Sequence, residues 1–182
     1  MAGDGMRGVL PRRVLPALPL MLAGLVSGCG GSGRPARISG IPGYSGDELL
    51  SCVAYARQRT GHSLRGDAWQ WWEAAAGRYQ RTRRPAPGHV LVFARSRRLP
   101  QGHVAVVRRV IHAREIRVDH ANWATAGTAA RGRIAEDQPV LDVSPRNDWT
   151  EVRVWYPPIR DFGTTVFATH GFIGPPIVMA AR

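Results

Sequence analysis

The sequence predicts an α+β domain with N-terminal helices packed on a mainly antiparallel β-sheet. Two observations lead there: helical signals are confined to residues 45–77, and strand-length apolar runs follow from residue 90 onward. Residues 111–115 read as a hairpin connection between two of those runs.

The first helix is announced by Ser45-Gly46-Asp47-Glu48, a capping-box pattern in which Ser45 caps and Glu48 reaches back. A start there places Cys52 in the second turn. A start nearer Leu50 or Ser51 places it in the first turn, where unpaired backbone N–H groups and the positive dipole end favour a thiolate. Both starts fit the pattern. A second helix follows, with Asp67 as N-cap, Trp69, Trp72 and Ala76 on one face, and Gly77 as its stop. A tryptophan stripe at this spacing reads as core, with Trp71, off the shared face, as the exposed member. The other reading of the cluster is a sugar-binding surface.

Pro85-Ala86-Pro87-Gly88 forms a turn with His89 at the surface, and the apolar run Val90–Phe93 is a strand. Gly102-His103-Val104-Ala105-Val106-Val107 reads as a buried strand. In Ile116-Arg117-Val118-Asp119-His120 the period of two puts Ile116, Val118 and His120 on the inner face and Arg117 and Asp119 on the outer one. If that strand continues, Asn122 shares the face of His120. Residues 140–143 and 152–156 are further strands, with a turn at Asn147-Asp148-Trp149 before the second. Residues 157–182, with several Pro and Gly, read as an irregular tail packed on the sheet.

A chain of 182 residues has room for one domain and a processed leader. Its formal charge is +12, carried entirely by arginine, since no lysine occurs. Such a surface favours anionic partners. The arginine pairs lack the aromatic interleaving or module signature of nucleic-acid readers, so no nucleic-acid partner is expected.

The leader sets the compartment. Arg7, Arg12 and Arg13 form a positive segment, and residues 14–26 are apolar but too short to span a bilayer comfortably. The stretch ends at Val26-Ser27-Gly28-Cys29, which resembles the lipobox of bacterial lipoproteins, with Cys29 as the lipidated residue. The alternative is an ordinary signal peptide with an incidental cysteine. Residues 1–28 are thus expected to be a signal peptide, and 29–43, rich in Gly, Ser, Pro and Arg, a flexible tether. Residues 44–160 would form the folded domain and 161–182 its tail. The expected location is a bacterial membrane facing the periplasm, the outer membrane in a Gram-negative host. With Cys29 lipidated, Cys52 has no disulfide partner and is a free thiol in an oxidising compartment.

Several pieces, in order, now resemble one family: Cys52-Val53-Ala54-Tyr55-Ala56-Arg57, Gly66-Asp67-Ala68, Pro87-Gly88-His89-Val90, Gly102-His103-Val104-Ala105-Val106-Val107, and Asn122-Trp123. The resemblance is to the CHAP family, the cysteine, histidine-dependent amidohydrolases and peptidases, which are related to NlpC-type wall peptidases. It implies a papain-like fold and hydrolysis of peptidoglycan amide bonds, either as an N-acetylmuramoyl-L-alanine amidase or as a murein endopeptidase. Cys52 would be the nucleophile and His103 the general base, with a third polar group to orient that base. The family pattern often has glutamate where this chain has His120, followed two residues later by asparagine. Two assignments therefore compete for the third residue, His120 and Asn122, and His120 is favoured. The oxyanion would draw on the backbone N–H of Cys52 and a side chain such as Tyr44 or Ser51.

His62, His112 and His170 have no metal-ligand spacing, so neither metal nor cofactor is expected. Two other readings remain beside the wall hydrolase. One is a non-catalytic wall-binding or scaffold lipoprotein; the other is an amidase acting on a small amide conjugate, against which export argues.

Overall fold

The structure is a computed structural model that describes residues 50–123 and 132–178. The leader, Cys29, the tether, Tyr44 and the 45–48 cap pattern lie outside the described residues.

Helix α1 spans Cys52–Thr60. The Ser51 side chain caps it by accepting the N–H of Ala54 at 3.2 Å, so Cys52 is the first helical residue and the later of the two possible starts is the observed one. Gly61 ends the helix at φ +71°, donating its N–H to the Arg57 carbonyl at 2.8 Å. The second helix differs from expectation. Asp67 precedes a 3₁₀ turn over Ala68–Gln70, and only the short α2, Trp71–Ala74, follows. The buried residues are Ala68, Trp71 and Ala75, so Trp71 is wholly buried and Trp69 and Trp72 lie at the margin. The apolar face of this segment is one residue out of phase with the Trp69/Trp72 stripe, because Ala68 and Ala75 are small enough to seat Trp71 between them.

Eight strands follow: β1 (Tyr79–Thr82), β2 (Val90–Phe93), β3 (His103–His112), β4 (Glu115–Ala121), β5 (Ile134–Asp142), β6 (Glu151–Tyr156), β7 (Asp161–Phe162) and β8 (Phe167–Pro176). The molecule is mostly β, and all its strand pairings are antiparallel. The order is β1-β8-β2-β3-β4-β5-β6-β7, and β8 also pairs with β6. That extra pairing closes β2, β3, β4, β5, β6 and β8 into a six-stranded barrel.

The segment read as an irregular tail therefore holds the strand that closes the barrel. β8 bends at Gly171, whose φ is +120°. A Cβ there would sit 2.7 Å from the Thr82 carbonyl oxygen, so only glycine lets β1 approach that point. On either side of the bend β8 serves different neighbours: Phe167 and Ala168 pair with β6, and Phe172 and Ile173 pair with β1. β3 is also longer than expected, because it continues through the exposed residues Arg108 to His112 before turning at Ala113 and Arg114.

Two apolar clusters flank the sheet wall. Val90, Val92, Val104 and Val106 face the helices with Tyr55, Ala56 and Trp71, whereas Leu91, Phe93, Ala105 and Val107 fill the barrel with Ile116, Val118 and Trp149. All four residues of β2 are buried, each stabilising the fold by roughly 1.5–3 kcal/mol on leaving water. That exceeds the ~1 kcal/mol range of strand propensity, so burial sets the register. Alternation carries His103 inward with Ala105 and Val107, and His120 inward with Ile116 and Val118. Among the described residues, no helix is long and apolar enough to cross a membrane.

Candidate active site

Cys52 opens α1, which packs on β3 and β4, and His103 opens β3. Gly102 makes this placement possible. At φ +67°, a Cβ would lie 2.7 Å from the Trp69 backbone nitrogen and 2.9 Å from the Phe93 carbonyl oxygen. The chain thus turns tightly under Trp69 before entering β3. Cys52 and His103 line one cavity of about 230 Å³, together with Ser51, Asp67, Arg98 and Asn122.

His103 is 3 % exposed and His120 2 %. Their rings meet edge to face, with His103 Nε2 3.0 Å from His120 Nδ1. Trp123 packs against both, its ring centroid 4.7 Å from His103 and 5.3 Å from His120. Burial in this aromatic nest disfavours a charged ring. It holds His103 well below the ordinary histidine range, helped by the neighbouring His120, and lowers His120 to about 4 even though Asp119 pulls the other way. Both imidazoles are therefore neutral at pH 7.

Burial also pushes the Cys52 thiol up, against the opposing pull of backbone N–H groups of Val104, Val53 and Cys52 itself. The first-turn position supplies the expected N–H groups, but desolvation outweighs them. The resting pair is thus a neutral thiol and a neutral imidazole, not the thiolate that a first-turn position favours.

Asn122 reaches the same cavity but is engaged elsewhere. β4 ends at Ala121, and Asn122 turns to φ +58°, so the alternation that would have aligned it with His120 stops one residue short. Its Oδ1 accepts the Gly132 N–H at 3.0 Å, and its own N–H donates to the Arg133 carbonyl at 2.9 Å, which ties the end of β4 to the residues just before β5. The Ser51 hydroxyl lies beside Cys52 while serving as the α1 cap.

Asp119 is buried too, which period-two reasoning did not foresee. It points away from His120 and accepts from Arg108 at 3.2 Å and from the Asp137 N–H at 2.8 Å, with Arg59 of α1 at 3.7 Å. A carboxylate flanked by two arginines supports burial on the helix side, and it links α1, β3, β4 and β5 behind the site. The signal in the sequence was the arginine at 108, whose partner only strand pairing reveals. His89, expected at the surface, is half buried, with Nδ1 unpartnered among the described residues. His62 is buried against the Gly174 carbonyl, whereas His112 is exposed and His170 half buried. Among the described residues, no group of three or more His, Cys, Asp or Glu is arranged to hold a metal ion.

A partly buried thiol at a helix start thus lines the same small cleft as His103, whose ring meets that of His120. Residues 43–122 match the family model of the CHAP domain, and the match includes Cys52, His103, His120 and Asn122. CHAP domains are in the main amidases and peptidases and act on peptidoglycan. No curated protein matches the chain.

Proposed function

We propose that this protein is a peptidoglycan hydrolase that cleaves an amide bond, as an N-acetylmuramoyl-L-alanine amidase or a murein endopeptidase, by a cysteine–histidine mechanism on a papain-like site. The observation that carries the reading is the shared cavity of Cys52 and His103, with His103 backed by His120.

His103 donates its Nε2–H to His120 Nδ1, which leaves the Nδ1 lone pair for the thiol. As Sγ attacks the amide carbonyl carbon, its proton moves to His103 Nδ1, so the charged pair forms only during reaction. The oxyanion faces backbone N–H groups at the start of α1, including that of Cys52. When the C–N bond breaks, His103 returns the proton to the leaving amine and a thioester remains. Water then attacks the thioester with His103 again as base, releasing the acid and the thiol. His120 is the orienting residue, because Asn122 spends its carbonyl on Gly132.

Cys29 is the proposed lipid attachment site, and residues 29–43 the tether that holds the domain over the wall from the membrane facing the periplasm. Anchoring raises the local concentration of enzyme at its polymer without a separate wall-binding module.

The test is a digest of purified sacculi by the full-length chain under reducing conditions, wild type beside Cys52→Ala, with released muropeptides read by mass spectrometry. Products appearing only with the wild type support the reading, and their new termini name the bond. Binding to sacculi without products, from folded wild type, moves the assignment to a wall-binding scaffold.

A further inference from the structure

A second cavity, of about 280 Å³, is lined by Trp123, the same ring that packs on the histidine pair. Its walls come from the β6 end at Trp155 and Tyr156, from Gly163, Thr164 and Thr165, and from Phe167 at the start of β8. None of these residues belongs to the segment that matches the CHAP domain. Trp123 connects this cavity to the histidines: it contacts both of them and also Phe167, at 5.3 Å between centroids.

Arg98 lines both cavities. It is exposed and makes no ion pair among the described residues, unlike Arg81, Arg108, Arg109 and Arg117, which all pair with carboxylates. The two cavities differ in charge. Asp67 lines the thiol cavity, whereas no carboxylate lines the second, which offers threonine hydroxyls and aromatic faces. Asp67 offsets the Arg98 charge in the first cavity and nothing offsets it in the second, so a carboxylate favours the second.

We infer that the second cavity is a substrate subsite for a carboxylate-bearing peptide arm, held by Arg98 with Thr164 and Thr165, while the scissile amide lies over Cys52. This rests on the hydrolase reading and adds the polarity of the substrate. An arginine fork on a carboxylate gives charge-assisted hydrogen bonds with fixed geometry, which suits it to select between an acid and a neutral amide.

The experiment measures binding to the full chain carrying Cys52→Ala, which separates affinity from turnover. The probes are a soluble muropeptide with free carboxylates and the same muropeptide with those carboxylates converted to methylamides. The free acid is expected to bind about tenfold more tightly than the capped form. Adding Arg98→Ala removes that preference by weakening the acid form alone, and Thr165→Trp, which fills only the second cavity, also weakens the acid form. Binding of the capped form serves as the folding control. The inference fails if acid and capped forms bind alike, if Arg98→Ala weakens both equally, if Thr165→Trp leaves the acid form untouched, or if neither form binds. Failure of the hydrolase reading looks different: no sacculus products from the wild type, with Arg98-dependent acid binding intact.

Discussion

His103 Nε2 lies 3.0 Å from His120 Nδ1, and that contact couples the tautomers of two buried rings. With both imidazoles neutral, one nitrogen of the pair donates and the other accepts. If His103 donates, its Nδ1 is left as a lone pair able to take a proton. If His120 donates, His103 carries its own proton on Nδ1 and cannot act as a base. The proposed mechanism requires the first arrangement.

Nitrogen-15 NMR of the resting protein at pH 7 should therefore show His103 protonated at Nε2. His120→Gln keeps a carbonyl acceptor and should lower kcat/KM roughly tenfold, whereas His120→Phe keeps bulk without an acceptor and should cost about 10²–10⁴-fold, the range set by general acid–base catalysis. Equal effects from the two substitutions would remove His120 from the orienting role.

The neutral resting pair has a signature in thiol chemistry. Because burial holds Cys52 above its ordinary range, alkylation by iodoacetamide at pH 7 should be slow and should rise with pH until beyond pH 9. Because His103 is held well below 6.5, the acid limb of kcat/KM should lie below the usual histidine range. Fast alkylation at pH 7 that His103→Ala slows would instead show a preformed ion pair.

Stability should fall on the acid side for the same reason. His120 titrates at about 4 when folded and near 6.5 when unfolded, so the unfolded chain binds more protons between those values. The contribution is fully present above pH 6.5 and is lost as pH falls toward 4, amounting to about 3 kcal/mol from this ring. Thermal unfolding followed from pH 7 to pH 4.5 checks the sign, and His120→Gln should flatten the curve across that window.

Gly102→Ala tests the turn that starts β3. The added Cβ would meet the Trp69 backbone and the Phe93 carbonyl, neither of which is the loose end of a side chain, in a conformation that already disfavours alanine. Loss of roughly 2–4 kcal/mol is expected from denaturant unfolding. Because His103 is the next residue, kcat should fall further than KM rises in the fraction that remains folded. Gly61→Ala shares the positive φ but meets nothing within 4 Å, so it should cost less, about 1 kcal/mol.

Much of the site was legible along the chain because its signals are local. Cys52 falls in the helical signal, His103 falls in an apolar strand-length run, and the alternation of Ile116, Val118 and His120 turned the second histidine inward, where the structure places it. The apolar run Val90–Phe93 and the strand read at residues 152–156 were visible for the same reason, and the second extends one residue further, to Glu151.

What the chain alone could not decide depends on partners distant in sequence. Phe167–Pro176 looked irregular because its prolines and glycines break local propensity, yet pairing with β1, β2 and β6 satisfies its backbone and makes it the closing strand. Asp119 sat on the polar side of its strand by period, but Arg59 and Arg108 converge on it and permit its burial. Asn122 leaves the strand and gives its carbonyl to Gly132, a bond that no spacing rule predicts. Sequence determined which residue types stand at the site. Tertiary structure decided which way burial pushes their titration and which one touches His103, because desolvation and contact exist only once the barrel is closed.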